Sequence, residues 1–94
     1  MKATLLLRNR VGLDDDCFVE LVVWQLPRTL PGSLHSFKYR LALVSHQICV
    51  LRYDNEAGKG DHRHIDGVET DYKFRSLEKL QQDFWDDVMK WRAR

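Results

Sequence analysis

Two histidines, a lysine and an arginine lie close together around two glycines in the stretch YDNEAGKGDHRH, which runs from Tyr53 to His64. If residues 61–65 are extended, His62 and His64 point to one side and Arg63 to the other, because side chains alternate along a strand. Imidazoles take up and release protons near neutral pH, and cations stabilise the charge of a phosphorane. The stretch is therefore suited to acid–base chemistry on a phosphodiester without a metal.

A cleavage site for RNA would use these residues in separate roles. The predicted catalytic residues are His62, His64, Lys59 and Arg63, with the two histidines as general base and general acid in an order that the sequence does not assign. Glycine lets the backbone approach a phosphate closely, and a tyrosine ring can stack on an unpaired base. The predicted substrate-binding residues are Arg52, Tyr53, Glu69, Tyr72, Gly58 and Gly60.

Two other interpretations of the same stretch stay open. A metal site would use His62 and His64 with Asp61 or Glu69 as a third ligand. That spacing is a weak signal, and the chain has neither a CxxC nor an HExxH pattern. We therefore expect no metal and no other cofactor. In a structural interpretation, the histidines are solvated and Arg63 pairs with Glu69.

Composition limits the class of protein more than it identifies one. We expect the 94 residues to form one domain over residues 1–94. They contain 15 Lys+Arg and 14 Asp+Glu, so the net charge gives no argument for nucleic-acid binding, and only a local basic site could provide one. No run approaches the about 20 apolar residues of a membrane helix, and Thr4–Leu7 is too short for the centre of a signal peptide. We expect a cytoplasmic protein that does not bind membranes, with Cys17 and Cys49 reduced and buried.

Strands separated by short turns must position the stretch. Extended segments are predicted at residues 2–9, 17–26, 37–44, 48–54 and 68–74, with DHRHI opening another strand. Turn residues are expected in VGLDDD, and the prolines of residues 27–36 indicate a loop. His35 in that loop and His46 in a hairpin turn are both expected to be exposed.

The C-terminal segment has the clearest periodicity in the chain. One apolar stripe at helical spacing is formed by Leu77, Leu80, Phe84, Val88 and Trp91. Ser76 suits the N-cap position, and Trp85 and Met89 would widen the apolar face. Because hairpin-length turns favour antiparallel pairing, the predicted fold class is α+β, a small antiparallel β-sheet packed against a C-terminal α-helix.

Residues from about Phe37 to the end carry motifs of a known family. The runs YRLALV, CVLRYDNEAGKGDHRH and SLEKLQQDFWDDV, together with Glu69 and the spacing of Tyr72 and Phe74, resemble the TumE family of bacterial type II toxin–antitoxin proteins. The resemblance implies a toxin that is inhibited by a helix-turn-helix antitoxin encoded beside it. By analogy with small ribonuclease toxins it also implies RNA as substrate, with the lysine-to-histidine run on residues 59–64. Glu56 departs from the polar or basic residue expected there and lowers the local positive charge.

A ribonuclease toxin is the leading prediction, and a non-enzymatic interaction module is the alternative. In the alternative, the cluster binds an antitoxin or a cellular target, and apolar side chains such as Trp24 and Trp85 matter more than the histidines. An antitoxin segment could add a strand at a sheet edge or at the loop Pro27–Gly32. The sequence leaves formation of a homodimer open.

Overall fold

The computed structural model describes residues 2–94 and contains six β-strands followed by one α-helix. Their bounds are β1 Thr4–Asp14, β2 Cys17–Gln25, β3 Phe37–Ser45, β4 Ile48–Glu56, β5 Gly60–Ile65, β6 Val68–Asp71 and α1 Leu77–Arg92. The strands pair antiparallel in chain order, so that β1 and β6 form the two edges of the sheet. The predicted α+β class, with an antiparallel sheet and a C-terminal helix, is confirmed.

The helix packs on one face of the sheet, which we call the helix face. Every second residue of the central strands points to this face, as the alternation of apolar residues in β2 and β3 predicted. Buried together there are Val19, Leu21, Val23, Tyr39, Leu41, Leu43, Leu51 and Tyr53 of the sheet with Leu80, Phe84 and Val88 of α1. Leu80, Phe84 and Val88 belong to the predicted stripe, which is therefore the face that α1 buries.

The other side of the sheet, which we call the open face, is not covered by α1. Two rows of cross-strand neighbours run over it from β1 to β6. The first row is Arg8, Val22, Arg40, Asp54, His62 and Asp71, and the second is Arg10, Glu20, Ala42, Arg52, His64 and Glu69. Charged and polar side chains thus concentrate on the open face, where a ligand can reach them.

The first hairpin differs from the prediction. β1 continues through Gly12 to Asp14, although the sequence indicated a turn from residue 11 onward. Gly12 pairs with Phe18, and a register shift follows before Asp14 pairs with Cys17. Backbone pairing with β2 therefore overrides the local turn signals, and the reversal of the chain is confined to residues 15–16.

Three further side-chain and boundary predictions are wrong. β6 ends at Asp71 instead of residue 74, because the chain leaves the sheet and Phe74 packs against the core. Cys49 is exposed, since it lies on the open face, whereas Cys17 is buried as expected. Met89 is 71% exposed and does not widen the apolar face of α1. The helix in residues 2–94 is not long and apolar enough to cross a membrane.

Both ends of α1 are fixed by polar contacts. At its start the hydroxyl of Ser76 accepts a hydrogen bond from the Lys79 N–H at 3.0 Å, which confirms the predicted N-cap. At its end the Trp91 indole donates to Asp66 Oδ1 at 3.1 Å, and Arg94 lies 2.6 Å from the same carboxylate. The hydrogen bond with Trp91 is the main cause that holds the pKa of Asp66 below its usual value, and the contact with Arg94 is the second. The helix is thereby attached to the turn between β5 and β6.

Two substitutions on α1 test which side of the helix carries the core. Phe84→Ala should lower the free energy of unfolding by about 3–5 kcal/mol, because it leaves a cavity among fully buried neighbours. Met89→Ala on the same helix should change it by about 0.5 kcal/mol or less, since Met89 is exposed. Urea unfolding followed by circular dichroism measures both. Equal losses in the two variants would contradict this helix orientation.

Candidate functional site

A tight hairpin brings the candidate residues of β4 and β5 opposite one another. Gly58 and Gly60 flank the turn with φ of +79°, a conformation that other residues adopt with strain. The Gly58 N–H donates to the carbonyl of Pro31 at 2.6 Å, so this amide is engaged by the loop between β2 and β3. With the turn fixed, Asp54 pairs with His62 in the ladder, and the next pair on the same face is Arg52 with His64.

Five side chains of the open face then form a compact group, the histidine cluster: Arg52, Asp54, His62, His64 and Glu69. Glu69 Oε1 lies 3.3 Å from His62 Nδ1 and 3.5 Å from His64 Nε2. Arg52 Nη2 lies 3.2 Å from the same His64 nitrogen, and Arg52 Nε lies 2.9 Å from Asp54 Oδ2. Carboxylates, a guanidinium and two imidazoles are thus in contact.

The two histidines differ in how they are held. His62 Nε2 lies 2.6 Å from the carbonyl of Lys59, and because a carbonyl only accepts, this nitrogen carries a hydrogen. The Nε2 atom of His64 lies 3.2 Å from Arg52 Nη2, which can donate to it, and 3.5 Å and 3.7 Å from the carboxylates of Glu69 and Asp54, which attract the ring in its protonated form. His64 therefore has partners in both its neutral and its protonated form, which suits a group that transfers protons.

Two buried side-chain atoms find no hydrogen-bond partner within residues 2–94, and both belong to the histidine cluster. They are Arg52 Nε, whose N–H is not aligned with the nearby Asp54 oxygen, and His62 Nδ1. Both atoms nevertheless lie beside a carboxylate, Arg52 Nε 2.9 Å from Asp54 Oδ2 and His62 Nδ1 3.3 Å from Glu69 Oε1. Charge attraction rather than aligned hydrogen bonds therefore holds these parts of the histidine cluster.

Arg63 lies on the helix face, away from His62 and His64. Its Nη1 is 3.2 Å from Asp87 Oδ2 of α1, and Tyr53 donates its hydroxyl hydrogen to the same carboxylate oxygen. The hydrogen bond with Tyr53 is the main cause that raises the pKa of the Arg63 guanidinium. The prediction that Arg63 pairs with Glu69 is therefore wrong, because Arg63 attaches β5 to the helix instead.

The remaining candidate residues lie apart from the histidine cluster. Tyr53 is 1% exposed and packs edge-on against Tyr72 and Phe84, so its ring has no face available for an RNA base. Tyr72 is also on the helix side, with its hydroxyl donated to Asp83 at 2.7 Å. Lys59 is exposed, with its ammonium 3.6 Å from Glu56. Of the predicted residues, the sheet brings together His62, His64, Arg52 and Glu69.

A second polar network was missed by the sequence analysis. His35, expected to be exposed, is largely enclosed, with its Nε2 donating to Asp61 Oδ2 at 2.8 Å and its ring stacked 3.9 Å from that of Phe74. Tyr39 donates to the same Asp61 oxygen at 2.6 Å. Because the Phe37 N–H donates to His35 Nδ1, the tautomer of the ring is defined. The network fastens the loop to the start of β5, and residues distant in sequence give no local signal for it.

A groove on the open face adjoins the histidine cluster, and we call it the open-face groove. Its volume is about 470 Å³, and its lining includes Trp24, Lys38, Arg40, Arg52, Asp54 and Glu56. Trp24 was predicted as a contact only in the interaction-module alternative, and Lys38 and Arg40 were not predicted as binding residues. The sequence contains a signal for Lys38 and Arg40, since the alternation of residues in β3 places both on its polar side.

The geometry bears on the metal alternative as well. Within residues 2–94, no three His, Cys, Asp or Glu side chains are arranged to hold a metal ion. The guanidinium of Arg52 also lies against His64, where its positive charge would repel a cation. Asp61, one of the two third ligands considered, lies on the helix side with His35.

Comparison with known protein families gave a match over nearly the whole chain. The sequence model of the family described as Toxin TumE matches residues 2–92 of the 94-residue chain. No curated protein and no solved structure matched. The family match extends through β1 and β2, beyond the region whose motifs suggested the resemblance.

The three tyrosines of the chain should resist ionisation as long as the protein is folded. Burial is the main cause that raises the pKa of Tyr39, Tyr53 and Tyr72, and a hydrogen bond from each hydroxyl to an aspartate raises it further. Their stabilising effect is thus complete below the unfolded value of about 10 and is lost as the pH rises through the higher folded values. Ultraviolet absorbance should detect tyrosinate only as the protein unfolds at alkaline pH.

The control is the chain unfolded in guanidinium chloride. There all three phenols should ionise with the pKa of free tyrosine, which is about 10. Ionisation of one or more tyrosines near that pH in protein that retains its circular dichroism would contradict the aspartate contacts described above.

Proposed function

This chain belongs to the TumE toxin family, and on that basis we propose that it is the toxin of a bacterial toxin–antitoxin pair and acts by cutting RNA without a metal. The observation that carries the proposal is the histidine cluster on the open face. There a guanidinium and a carboxylate lie within 3.5 Å of one imidazole nitrogen, that of His64. Base, acid and cation are the groups that cleavage next to a ribose requires.

The proposed reaction uses Glu69 and His64 for proton transfer. The Glu69 carboxylate, in a side chain that is 54% exposed, takes the proton of the ribose 2′-hydroxyl, and the 2′ oxygen attacks the phosphorus atom. The protonated ring of His64 gives its proton to the departing 5′ oxygen. Arg52 donates hydrogen bonds to the phosphate oxygens as their negative charge increases. The products are a 2′,3′-cyclic phosphate and a 5′-hydroxyl end.

The other residues of the sequence prediction take supporting roles in this proposal. In its protonated form His62 orients the Glu69 carboxylate, because the Lys59 carbonyl holds the ring at Nε2 and Nδ1 lies 3.3 Å from Glu69 Oε1. Arg63 fixes β5 against Asp87 and so keeps the two histidines in register with β4. The Lys59 ammonium, exposed at the hairpin turn, is available to a phosphate of the bound strand.

The open face as a whole supports RNA as the substrate. Arg8, Lys38 and Arg40 lie on it together with the indole of Trp24, so cations for phosphates and a ring for bases occur side by side. An unpaired strand could lie across the sheet toward His64, because the groove beside Trp24 extends to Arg52. The near-zero net charge of the chain does not oppose this, since the attraction is local.

We also propose a helix-turn-helix antitoxin as the partner that holds the toxin inactive. The edge strand β1 supports strand addition as one part of that contact. It is 11 residues long, and Leu5 and Leu6 on it are exposed. An extended segment could therefore gain both backbone hydrogen bonds and apolar contact there.

RNA cleavage by purified protein tests the proposal. In buffer with a metal chelator, the wild type should cut single-stranded RNA, and His64→Ala should lower the rate by about 10²–10⁴-fold because the proton donor is lost. Glu69→Gln should cause a loss of similar size, since an amide cannot take the proton. Gel electrophoresis of end-labelled RNA measures the rate and identifies the cyclic phosphate.

His46→Ala is the matched control, because this histidine is 75% exposed at the turn between β3 and β4 and lies outside the cluster. It should leave the rate unchanged. Thermal unfolding of each variant separates loss of catalysis from loss of fold. If the wild type arrests growth but leaves RNA intact, in cells and in the purified assay, the ribonuclease proposal fails and the interaction module remains.

A further inference from the structure

The open-face groove has the dimensions and the lining of a binding site for one aromatic ligand. Its volume of about 470 Å³ lies within the range of about 300–1,000 Å³ usual for sites that bind small molecules. Its walls come from β2, β3 and β4, which are held in one continuous antiparallel ladder. The site is therefore built on rigid elements and needs no loop to order around a ligand.

Trp24 supplies the stacking surface of this groove. Its neighbour in the ladder is Lys38 on the β3 side, where the groove lies. On the β1 side the guanidinium of Arg8 lies 5.9 Å from the centroid of the indole ring. An indole that is supported from one side and borders a groove on the other is an arrangement on which a nucleobase can stack.

Two polar groups of the groove are available to read the edge of a base. Glu56 makes one ion pair, with Lys59 at 3.6 Å, and both side chains are more than half exposed, so a ligand can displace this contact. Arg40 forms no ion pair with any residue from 2 to 94 and is exposed. Asp54, by contrast, is held by Arg52 Nε at 2.9 Å, and Lys38 is engaged with the carbonyl of Asn55.

A carboxylate and a guanidinium beside an aromatic ring match guanine better than the other bases. Guanine has two adjacent N–H donors for one carboxylate, and its O6 and N7 accept a bidentate arginine. Adenine and cytosine would instead turn a ring-nitrogen lone pair toward Glu56, and uracil offers a single N–H between two carbonyl groups. We infer that the open-face groove binds a guanine base of single-stranded RNA, stacked on Trp24 and recognised by Glu56 and Arg40.

This inference rests on the proposed ribonuclease function and defines its substrate more closely. The groove shares Arg52 and Asp54 with the histidine cluster, and three strand intervals of about 4.8 Å separate β2 from β5, or about 14 Å. Trp24 is level with Gly60 of β5, and His64 lies four residues further along that strand, or about 13 Å, so Trp24 and His64 are about 20 Å apart. A base on Trp24 is therefore a few nucleotides from a phosphate at His64. Cleavage should occur at a fixed, short distance from guanines.

Nucleotide binding tests the inference without any need for catalysis. Guanosine, adenosine, cytidine and uridine monophosphates are titrated separately into ¹⁵N-labelled protein, and the three tryptophan indole signals are followed by nuclear magnetic resonance. Guanosine monophosphate should shift the signal of Trp24 and bind about tenfold tighter than the other three, the preference that one good bidentate contact provides. The signals of Trp85 and Trp91, which lie on α1, are internal controls and should not move.

Two variants separate stacking from recognition. Trp24→Ala should weaken binding of all four nucleotides by about tenfold or more, because each base loses its stacking partner. Glu56→Gln should reduce the preference for guanine to about threefold or less while the other three nucleotides bind as before, since the carboxylate is the acceptor for both guanine donors. Both side chains are at the surface of the sheet, and a thermal melt verifies that each variant is folded.

The outcomes distinguish this inference from the proposed function. If guanosine monophosphate binds selectively at Trp24 but RNA is not cut, the groove assignment stands and the ribonuclease proposal fails. If RNA is cut with no relation to guanine, and the Trp24 signal is unmoved at millimolar nucleotide, the groove assignment fails alone. Equal shifts by all four nucleotides would overturn the recognition of guanine by Glu56 and Arg40.

Discussion

The arrangement of this protein depends on the pleat of a sheet that has one helix to cover it. Successive side chains on a strand point to opposite faces, and α1 packs on only one of them. Apolar residues at every second position bind the helix, and the residues between them are left on the open face. A slip of one residue in any strand would exchange the two sets, so the buried face fixes the register of the open one.

Strand β5 illustrates how one element serves both faces. Arg63 contacts Asp87 on the helix face, while His62 and His64 on either side of it reach Glu69 on the open face. The start of the strand is fastened again by Asp61, which accepts from His35 and Tyr39. Arg63 and Asp61 contact no substrate in the proposed reaction, but they determine where the two histidines lie. The proposed chemistry therefore depends on both of them.

The open face carries the two sites on which the proposals rest. The histidine cluster holds the groups to which we assign proton transfer and charge stabilisation, with Glu69 and Arg52 within 3.5 Å of His64 Nε2. The adjoining groove offers an aromatic ring with a carboxylate and a guanidinium around it. Glu56 lowers the positive charge of the glycine-rich turn, and in the guanine binding that we infer for the groove its carboxylate accepts from the two N–H groups of the base.

The sequence by itself determined the elements and the sides on which their residues lie. Periodicities of two and of three to four residues are local, so they predicted the helix, most strands, the buried face of β2 and β3 and the shared face of His62 and His64. Contacts between segments are not local, and only the tertiary structure decided them. It joined Arg63 to Asp87, enclosed His35 against Asp61 and brought Trp24 beside Arg40 and Glu56. Such pairs depend on register and helix placement, which the energy of the whole fold sets, and no single segment encodes them.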